Sequence, residues 1–290
     1  MSGFANVNGH ITSTDEATIS ITDRGFLYGD AAFETIRAYN GEYFAWKQHL
    51  KRLQQTCETL SLETSLSGND LRSHIDATLA AAGYSDAYVR LSITRGSQQG
   101  RLTPQPEDTS SFVILVEPLP RGGIDGSAVW NQAATATITD VKRTPSDSLP
   151  ASAKTHNYLN GILGRLDARS AGAEEALFLD QSGMLTEGAT SNLFFVDDSV
   201  LKTPSIADLP ILPGITRECV LALATEQHLT VRQGKFSPAE LEQASEVFVT
   251  NSTWEIRPVS RIDAWSYDTG PITTQLMQAF DTLIERRCYA

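Results

Sequence analysis

Apolar residues change their spacing repeatedly along this chain, and each change marks an element. Phe33-Glu34-Thr35-Ile36-Arg37-Ala38-Tyr39 reads as a strand closed by the Asn40-Gly41 turn signal, with Tyr43-Phe44-Ala45-Trp46 as its hairpin partner. Leu50, Leu53, Cys57 and Leu60 then follow the spacing of an amphipathic helix. A second helix carries Leu71, Ile75, Leu79 and Ala82, with Asn69 or Asp70 as its expected cap. Tyr88 to Thr94 alternates, placing Val89, Leu91 and Ile93 on one face and Tyr88, Arg90 and Ser92 on the other. Phe112-Val113-Ile114-Leu115-Val116 is a fully apolar strand, and Ile11, Ile19 and Ile21 fall in short β-like stretches.

Pro118-Leu119-Pro120-Arg121-Gly122-Gly123 breaks this pattern, because Pro and Gly punctuate structure. The expected layout is a small N-terminal α/β domain over residues 1–117, a linker over 118–123 and a larger domain over 124–290. The second part predicts a helix after Asn157 and strands at Leu177-Phe178-Leu179, Leu193-Phe194-Phe195-Val196 and Val247-Phe248-Val249. Helices are expected from Ile215 to near Glu226 and from Ile272 to near Arg286. Alternating strands and helices make this an α/β chain.

Composition narrows the function classes. The net charge of −12 disfavours nonspecific nucleic-acid binding, which needs basic surface. It is compatible with a high-salt habitat and equally with an ordinary acidic protein. No apolar run reaches the roughly 18 residues that span a bilayer, and the N-terminus has no secretory pattern, so the expected location is the cytoplasm. Cys57, Cys219 and Cys288 are isolated, and the five histidines show no metal-ligand spacing, so no metal site is expected.

Lys154, Glu187 and Leu212-Pro213-Gly214-Ile215-Thr216-Arg217 carry the strongest chemical suggestion. A lysine can act as a nucleophilic amine if partly desolvated. An acid in the small-residue run Thr186-Glu187-Gly188-Ala189-Thr190-Ser191-Asn192 can hold a protonated pyridine nitrogen. A helix start at Gly214, Ile215 and Thr216 offers N–H groups to a phosphate. Arg52, beside His49 on the first helix, could add a bidentate phosphate contact. Ser252 and Thr253 end an apolar strand, where hydroxyls suit a phosphate or carboxylate. Read alone, each is an ordinary surface charge, turn or cap.

Taken together in this order, they resemble the fold-type IV (class IV) aminotransferases that use pyridoxal 5'-phosphate (PLP). That family includes branched-chain aminotransferases, D-amino-acid transaminases and 4-amino-4-deoxychorismate lyases. The resemblance starts at Asp23-Arg24-Gly25-Phe26-Leu27-Tyr28-Gly29-Asp30 and continues at least to Glu255-Ile256-Arg257-Pro258-Val259. It implies two α/β domains with the cofactor in the cleft between them, and a homodimer. It implies a Schiff base on Lys154 and a pairing of Glu187 with the pyridine nitrogen. Arg52, Gly214, Ile215, Thr216 and Ser252 would hold the phosphate, and Leu212 would pack on the ring. Tyr158 is similar to the tyrosine that bonds the cofactor's O3', one residue closer to the lysine than in branched-chain enzymes.

The substrate positions divide. Tyr28, Phe33, Tyr88 and Arg90 resemble the branched-chain pattern, which implies transfer of an amino group between a branched-chain-like L-amino acid and a 2-oxo acid. Thr35 and the Arg95-Gly96-Ser97-Gln98-Gln99-Gly100-Arg101 loop resemble the deoxychorismate lyases. Arg95 also fits a D-amino-acid or amine transaminase.

Overall fold

The computed structural model describes residues 3–97, 102–104, 109–119 and 132–289. The chain divides into two compact units. The first comprises Met1–Gly126 and two later segments, Ala153–Asn157 and Arg287–Ala290; the second comprises Ser127–Ser152 and Tyr158–Arg286. Of the predicted linker, Pro118 closes a strand, Leu119 is buried, and Pro120 to Gly123 lie outside the described residues.

The first unit runs β1 (Phe4–Val7), β2 (His10–Ser13), α1 (Arg24–Tyr28), β3 (Ala31–Tyr39), β4 (Glu42–Tyr43), α2 (Trp46–Thr59), α3 (Gly68–Ala82), β5 (Ala87–Thr94) and β6 (Ser111–Pro118). Its strands form one antiparallel sheet in the order β2-β1-β6-β5-β3-β4. The register fixes what each face carries. Ala32 lies opposite Ile93 and Ile36 opposite Val89, and these residues pack with Leu53 of α2 and Ile75 of α3 in one core. Phe33 opposite Ser92, Thr35 opposite Arg90 and Arg37 opposite Tyr88 therefore share the other face.

Three predicted boundaries move. Ile19 and Ile21 are in no strand and are exposed, and no strand among the described residues pairs with them. The hairpin partner keeps only Glu42–Tyr43, since Ala45 becomes the N-cap of α2. The cap of α3 is Ser67: its hydroxyl accepts from Asp70 N–H while the Asp70 carboxylate takes the Ser67 N–H. Asp70 is thus the third helical residue and the other half of the box.

The second unit runs β7 (Ala134–Ile138), α4 (Leu159–Ser170), β8 (Glu175–Leu179), β9 (Leu185–Gly188), β10 (Asn192–Asp197), β11 (Val200–Pro204), α5 (Ile215–Glu226), β12 (Val231–Gly234), α6 (Pro238–Glu242), β13 (Glu246–Asn251), β14 (Glu255–Ile262), β15 (Trp265–Ser266) and α7 (Pro271–Ile284). The strand order is β12-β11-β10-β13-β14-β7-β8-β9, with β15 on β14. Because β9 also pairs with β10, through Glu187 opposite Asn192, the run from β10 round to β9 closes on itself. Leu177, Leu185, Leu193, Phe195, Val247 and Val259 fill its core.

Candidate active site

In the first unit, the edge of β3 is extended by the segment that carries Lys154. Phe33 N–H donates to Lys154 O at 3.0 Å and His156 N–H to Ala31 O at 3.1 Å, while Thr155 bridges Ala32. Lys154 N–H donates to Thr56 Oγ1 at 3.1 Å, tying the same segment to α2. These bonds fix the backbone of a half-buried lysine whose Nζ lies 4.4 Å from the centre of the Phe33 ring.

That ring collects other groups from its sheet face. The Arg90 guanidinium lies over it at 3.8 Å, and the His156 imidazole meets it edge-on at 5.5 Å. His156 Nε2 is 3.1 Å from Ser92 Oγ. Burial and the nearby Arg90 charge push the His156 imidazole down to about 4, so it is neutral at physiological pH. Thr35 and Tyr88 are half-buried on the same face.

Arg52 is carried by α2, the helix that also binds the Lys154 backbone, and pairs with Glu34 of β3. Its Nε donates to Glu34 Oε1 at 2.8 Å and its Nη2 to Glu34 Oε2 at 2.7 Å, a bidentate pair that also takes His49 Nδ1 at 2.7 Å. Burial opposes the Glu34 charge, but Arg52 and His49 overcome it and hold the carboxyl at about 2. His49 itself is pushed down, first by burial. Arg52 is therefore held in place by the protein's own carboxylate.

Arg95 does not join the Phe33 group. Its Nε and Nη2 bind Asp30 at 2.8 and 3.1 Å, and its Nη1 and Nη2 donate to Ser61 O and Leu60 O at 2.7 and 2.8 Å, just past the end of α2. The carbonyls left unpaired at a helix end and a carboxylate together occupy the guanidinium, which accounts for its departure from the expected substrate role. Gln98 to Arg101 of its loop lie outside the described residues. Tyr28 is exposed at the end of α1, with Arg24 5.3 Å from its ring centre.

In the second unit, Glu187 is buried at the strand pair that closes the sheet. Arg143 Nη2 reaches its Oε1 at 2.5 Å, while Asn192 Nδ2 and Leu212 N–H donate to Oε2 at 3.3 and 3.1 Å. Asn192 Nδ2 also donates to Leu212 O at 3.0 Å, so one amide ties the acid to the residue two before the α5 cap. Gly214 is that N-cap, and the 12-residue α5 begins without a side-chain cap bond. Ile215 and Thr216 are buried in its first turn, and the Thr216 hydroxyl makes no hydrogen bond with the described residues. Ser252 and Thr253 are half-buried after β13; Thr253 N–H and Oγ1 both donate to Asn251 Oδ1, at 2.9 and 3.0 Å. Tyr158 is half-buried and is the N-cap of α4.

Sequence patterns alone passed over Arg143, Asn192, Glu34, Ser92 and His156. Glu34 had a usable signal: an acid on the core face of an alternating strand needs a cation, and His49 and Arg52 stand three apart on the next helix. Arg143 had none, since it lies in an irregular segment far from Glu187 in sequence.

The Amino-transferase class IV profile matches residues 31–262. The chain is 34% identical over 277 residues to a putative branched-chain-amino-acid aminotransferase of Methanocaldococcus jannaschii, covering 94% of each. It is 32% identical over 285 residues to the D-alanine aminotransferase of Listeria monocytogenes serotype 4b, covering 97% of this chain and 96% of the relative. The branched-chain amino acid aminotransferase of Escherichia coli superposes with a TM-score of 0.91 at 29% identity, over 98% of this chain and 95% of the other. The T.th. branched-chain amino acid aminotransferase, complexed with N-(5'-phosphopyridoxyl)-L-glutamate, gives a TM-score of 0.89 at 29% identity, over 99% and 95%. The chain belongs to the class IV aminotransferases: it is an enzyme, a transferase, with the mixed α/β architecture of fold type IV.

Proposed function

We propose that this enzyme uses PLP to move an amino group between a branched-chain L-amino acid and a 2-oxo acid, with Lys154 as the reacting amine. The observation that carries this reading is Lys154 itself: a half-buried amine on a backbone bonded to β3 and α2, held against an aromatic ring. The E. coli and T.th. neighbours support the substrate class.

The residues fit the cofactor. The uncapped start of α5 and the Thr216 hydroxyl are donors that suit a phosphate. Glu187, fixed by Arg143, Asn192 and Leu212, is a carboxylate suited to a pyridinium nitrogen. When bound, PLP supplies the electron sink for a carbanion at the substrate Cα. Lys154 Nζ would take the Cα proton and return it on the other side of the transfer. Glu187 would keep the pyridine nitrogen protonated. Arg52, Gly214, Ile215, Thr216 and Ser252 would hold the phosphate, Leu212 would cover the ring, and Tyr158 would bond O3'. Tyr28, Phe33, Thr35, Tyr88, Arg90 and Thr253 would contact the substrate.

The active form we infer is a homodimer. Leu159, Ile162, Leu163 and Leu166 line one exposed stripe of α4, and Ile21 and Phe26 are exposed near α1, apolar surface that a second copy would cover. No helix among the described residues is long and apolar enough to cross a membrane, and a cytoplasmic site of action is part of this reading. The Listeria relative supports a second reading with D-alanine as donor.

One experiment tests both readings. The purified enzyme is loaded with PLP and mixed separately with L-leucine, D-alanine and aminodeoxychorismate, while the cofactor absorbance is followed. Conversion to the pyridoxamine form with L-leucine is expected. Conversion with D-alanine alone would replace the L-specific reading, and pyruvate release from aminodeoxychorismate without conversion would replace transamination by the lyase reaction. Lys154→Ala is expected to lose the bound-cofactor absorbance; a variant keeping both absorbance and turnover would overturn the role of Lys154.

A further inference from the structure

We infer that Glu175 is a positioning residue: by holding the turn between β9 and β10, it keeps Glu187 and Asn192 in the mutual orientation that Glu187 needs to serve a pyridinium. The inference rests on the proposed PLP reading. Glu175 opens β8 and is completely buried. Its side chain lies beside Gly188, Ala189, Thr190 and Ser191, the residues that connect Glu187 to Asn192. Oε1 accepts from Ala176 N–H at 2.9 Å, from Ala189 N–H at 3.2 Å and from Arg165 Nη1 at 3.3 Å. Oε2 accepts from Ser191 Oγ at 3.1 Å and from Thr190 Oγ1 at 3.4 Å. Gly188 has no room for a side chain: a Cβ there would collide with Ser191 Oγ and stand 3.2 Å from Glu175 Cδ. One carboxyl group thus binds Ala189, Thr190 and Ser191 and closes the space beside Gly188.

These contacts act on the acid through Asn192. Glu187 and Asn192 face each other across β9 and β10, and just beyond them Gly188 N–H donates to Ser191 O at 2.7 Å. The turn therefore sets the spacing of the two strands at this point. That spacing lets Asn192 Nδ2 reach both Glu187 Oε2, at 3.3 Å, and Leu212 O, at 3.0 Å. With Asn192 and Leu212 N–H on Oε2 and Arg143 on Oε1, the plane of the Glu187 carboxylate is fixed. The Asn192 bond is already long, so a shift of about 0.3 Å in the turn releases it. The backbone holds one side of the turn, where Ala189 N–H also donates to Ala176 O at 3.0 Å. The Glu175 carboxylate adds the grip on Thr190 and Ser191, the side that leads into Asn192. A glutamine would keep the shape of Glu175 but would offer N–H groups where Oε2 now accepts two hydroxyl protons.

The test compares Glu175→Gln with Glu246→Gln. Glu246 is also buried in the second unit, where it accepts Ile272 and Thr273 N–H at the start of α7. It sits at the far end of the β10–β13 pair from Asn192. Both variants are expected to lower the melting temperature. Only Glu175→Gln should shift the side-chain ¹⁵N–H signals of Asn192 in the apoenzyme, identified as those missing from Asn192→Asp. With PLP labelled at the ring nitrogen, only Glu175→Gln should move the bound ¹⁵N signal towards that of unprotonated pyridine. Its kcat with leucine should fall by about 10- to 100-fold, the scale of a misplaced catalytic group, while KM stays within about threefold. Glu175→Asp, which keeps two acceptor oxygens, should recover part of both signals. Equal effects of Glu175→Gln and Glu246→Gln on these signals would overturn the inference. So would a Glu175→Gln enzyme whose pyridine signal and kcat match the wild type. If Glu175→Gln does not fold, Ser191→Ala removes one donor to Oε2 and should move the same signals in the same direction by less; unmoved signals there would refute the role of Glu175. Failure of the wild-type enzyme to take up PLP would instead refute the PLP reading, and the apoenzyme signals of Asn192 decide the link to Glu175 separately.

Discussion

Arg143 and Glu187 form a direct ion pair, Nη2 to Oε1 at 2.5 Å, while the Arg143 Nε has no hydrogen-bond partner among the described residues. The arginine therefore faces the acid as its principal partner. Removing it leaves a buried carboxylate with the neutral donors Asn192 and Leu212 N–H and the field of the Arg217 charge. Arg143→Met should destabilise the fold by about 3 kcal/mol, the loss seen when one partner of a largely buried pair is deleted. Denaturant unfolding of the apoenzyme measures this. Adding Glu187→Gln to Arg143→Met should restore much of the stability, because the buried charge that lost its ion-pair partner is then gone. A double variant less stable than Arg143→Met would contradict this account.

Glu187→Gln alone separates binding from turnover. The amide keeps hydrogen-bonding capacity toward its neighbours but cannot hold a pyridinium as an ion pair. PLP uptake should persist, and turnover should fall by about 100-fold or more, the scale typical of a lost proton-holding group. Stopped-flow measurement of the leucine half-reaction checks this. An unchanged rate would count against the role proposed for Glu187.

The Glu34 group predicts acid sensitivity of the first unit. Its carboxyl is held at about 2 in the folded chain, against an ordinary value near 4.5. A depressed folded value means the unfolded chain binds more protons as pH falls, so stability is present above about pH 4.5 and is lost towards pH 2. The difference corresponds to about 3 kcal/mol at neutral pH. His49 is also depressed, so its protonation works in the same direction below its ordinary range. Urea midpoints measured between about pH 7 and pH 3 should fall steeply for the wild type and less steeply for Glu34→Gln, which should already be less stable at neutral pH.

Gly214 is required by space. Its φ of −70° suits any residue, but a Cβ would collide with Asn192 Oδ1. That side-chain amide bonds both Glu187 and Leu212, so moving it disturbs the acid and the start of α5 together. Gly214→Ala should lower stability by about 1–3 kcal/mol through overpacking and weaken PLP binding. Thermal melts of apoenzyme and holoenzyme distinguish these effects: the gap between the two melting temperatures should narrow.

The strands and helices that line the cores were legible because burial imposes their periods, as in Val89, Leu91 and Ile93 or Leu50, Leu53 and Cys57. The order of Lys154, Glu187 and Gly214-Ile215-Thr216 stood out because the proposed cofactor chemistry would use those groups. Pairings made by long-range register were not. Glu187 meets Arg143 and Asn192 only after the strands of the second unit close, and Ser92 meets His156 only after the Lys154 segment adds to β3. Ile19 and Ile21 mark the same limit: a local pattern does not show whether a partner strand is there to pair with it.

Arg95 gives the sharpest division between a structural and a substrate role. Burial opposes the charge on Asp30, yet hydrogen bonds from Arg95 and Arg24 hold that carboxyl below its usual range. Arg95 also caps the carbonyls of Leu60 and Ser61 past the end of α2. Arg95→Ala should therefore cost about 2–4 kcal/mol, since it removes a partly buried ion pair and two carbonyl partners at once. Arg95→Lys should recover only a small part, because a lysine cannot reproduce the bidentate contact with Asp30. The surviving folded enzyme should keep its KM for leucine and for its 2-oxo acid within about twofold, a difference under about 1 kcal/mol. A substrate ligand would behave in the opposite way, with an unchanged melting temperature and a KM raised by at least about tenfold. Measuring melting temperature and KM on the same preparations decides between the two roles, and a raised KM at unchanged stability would return Arg95 to the substrate site.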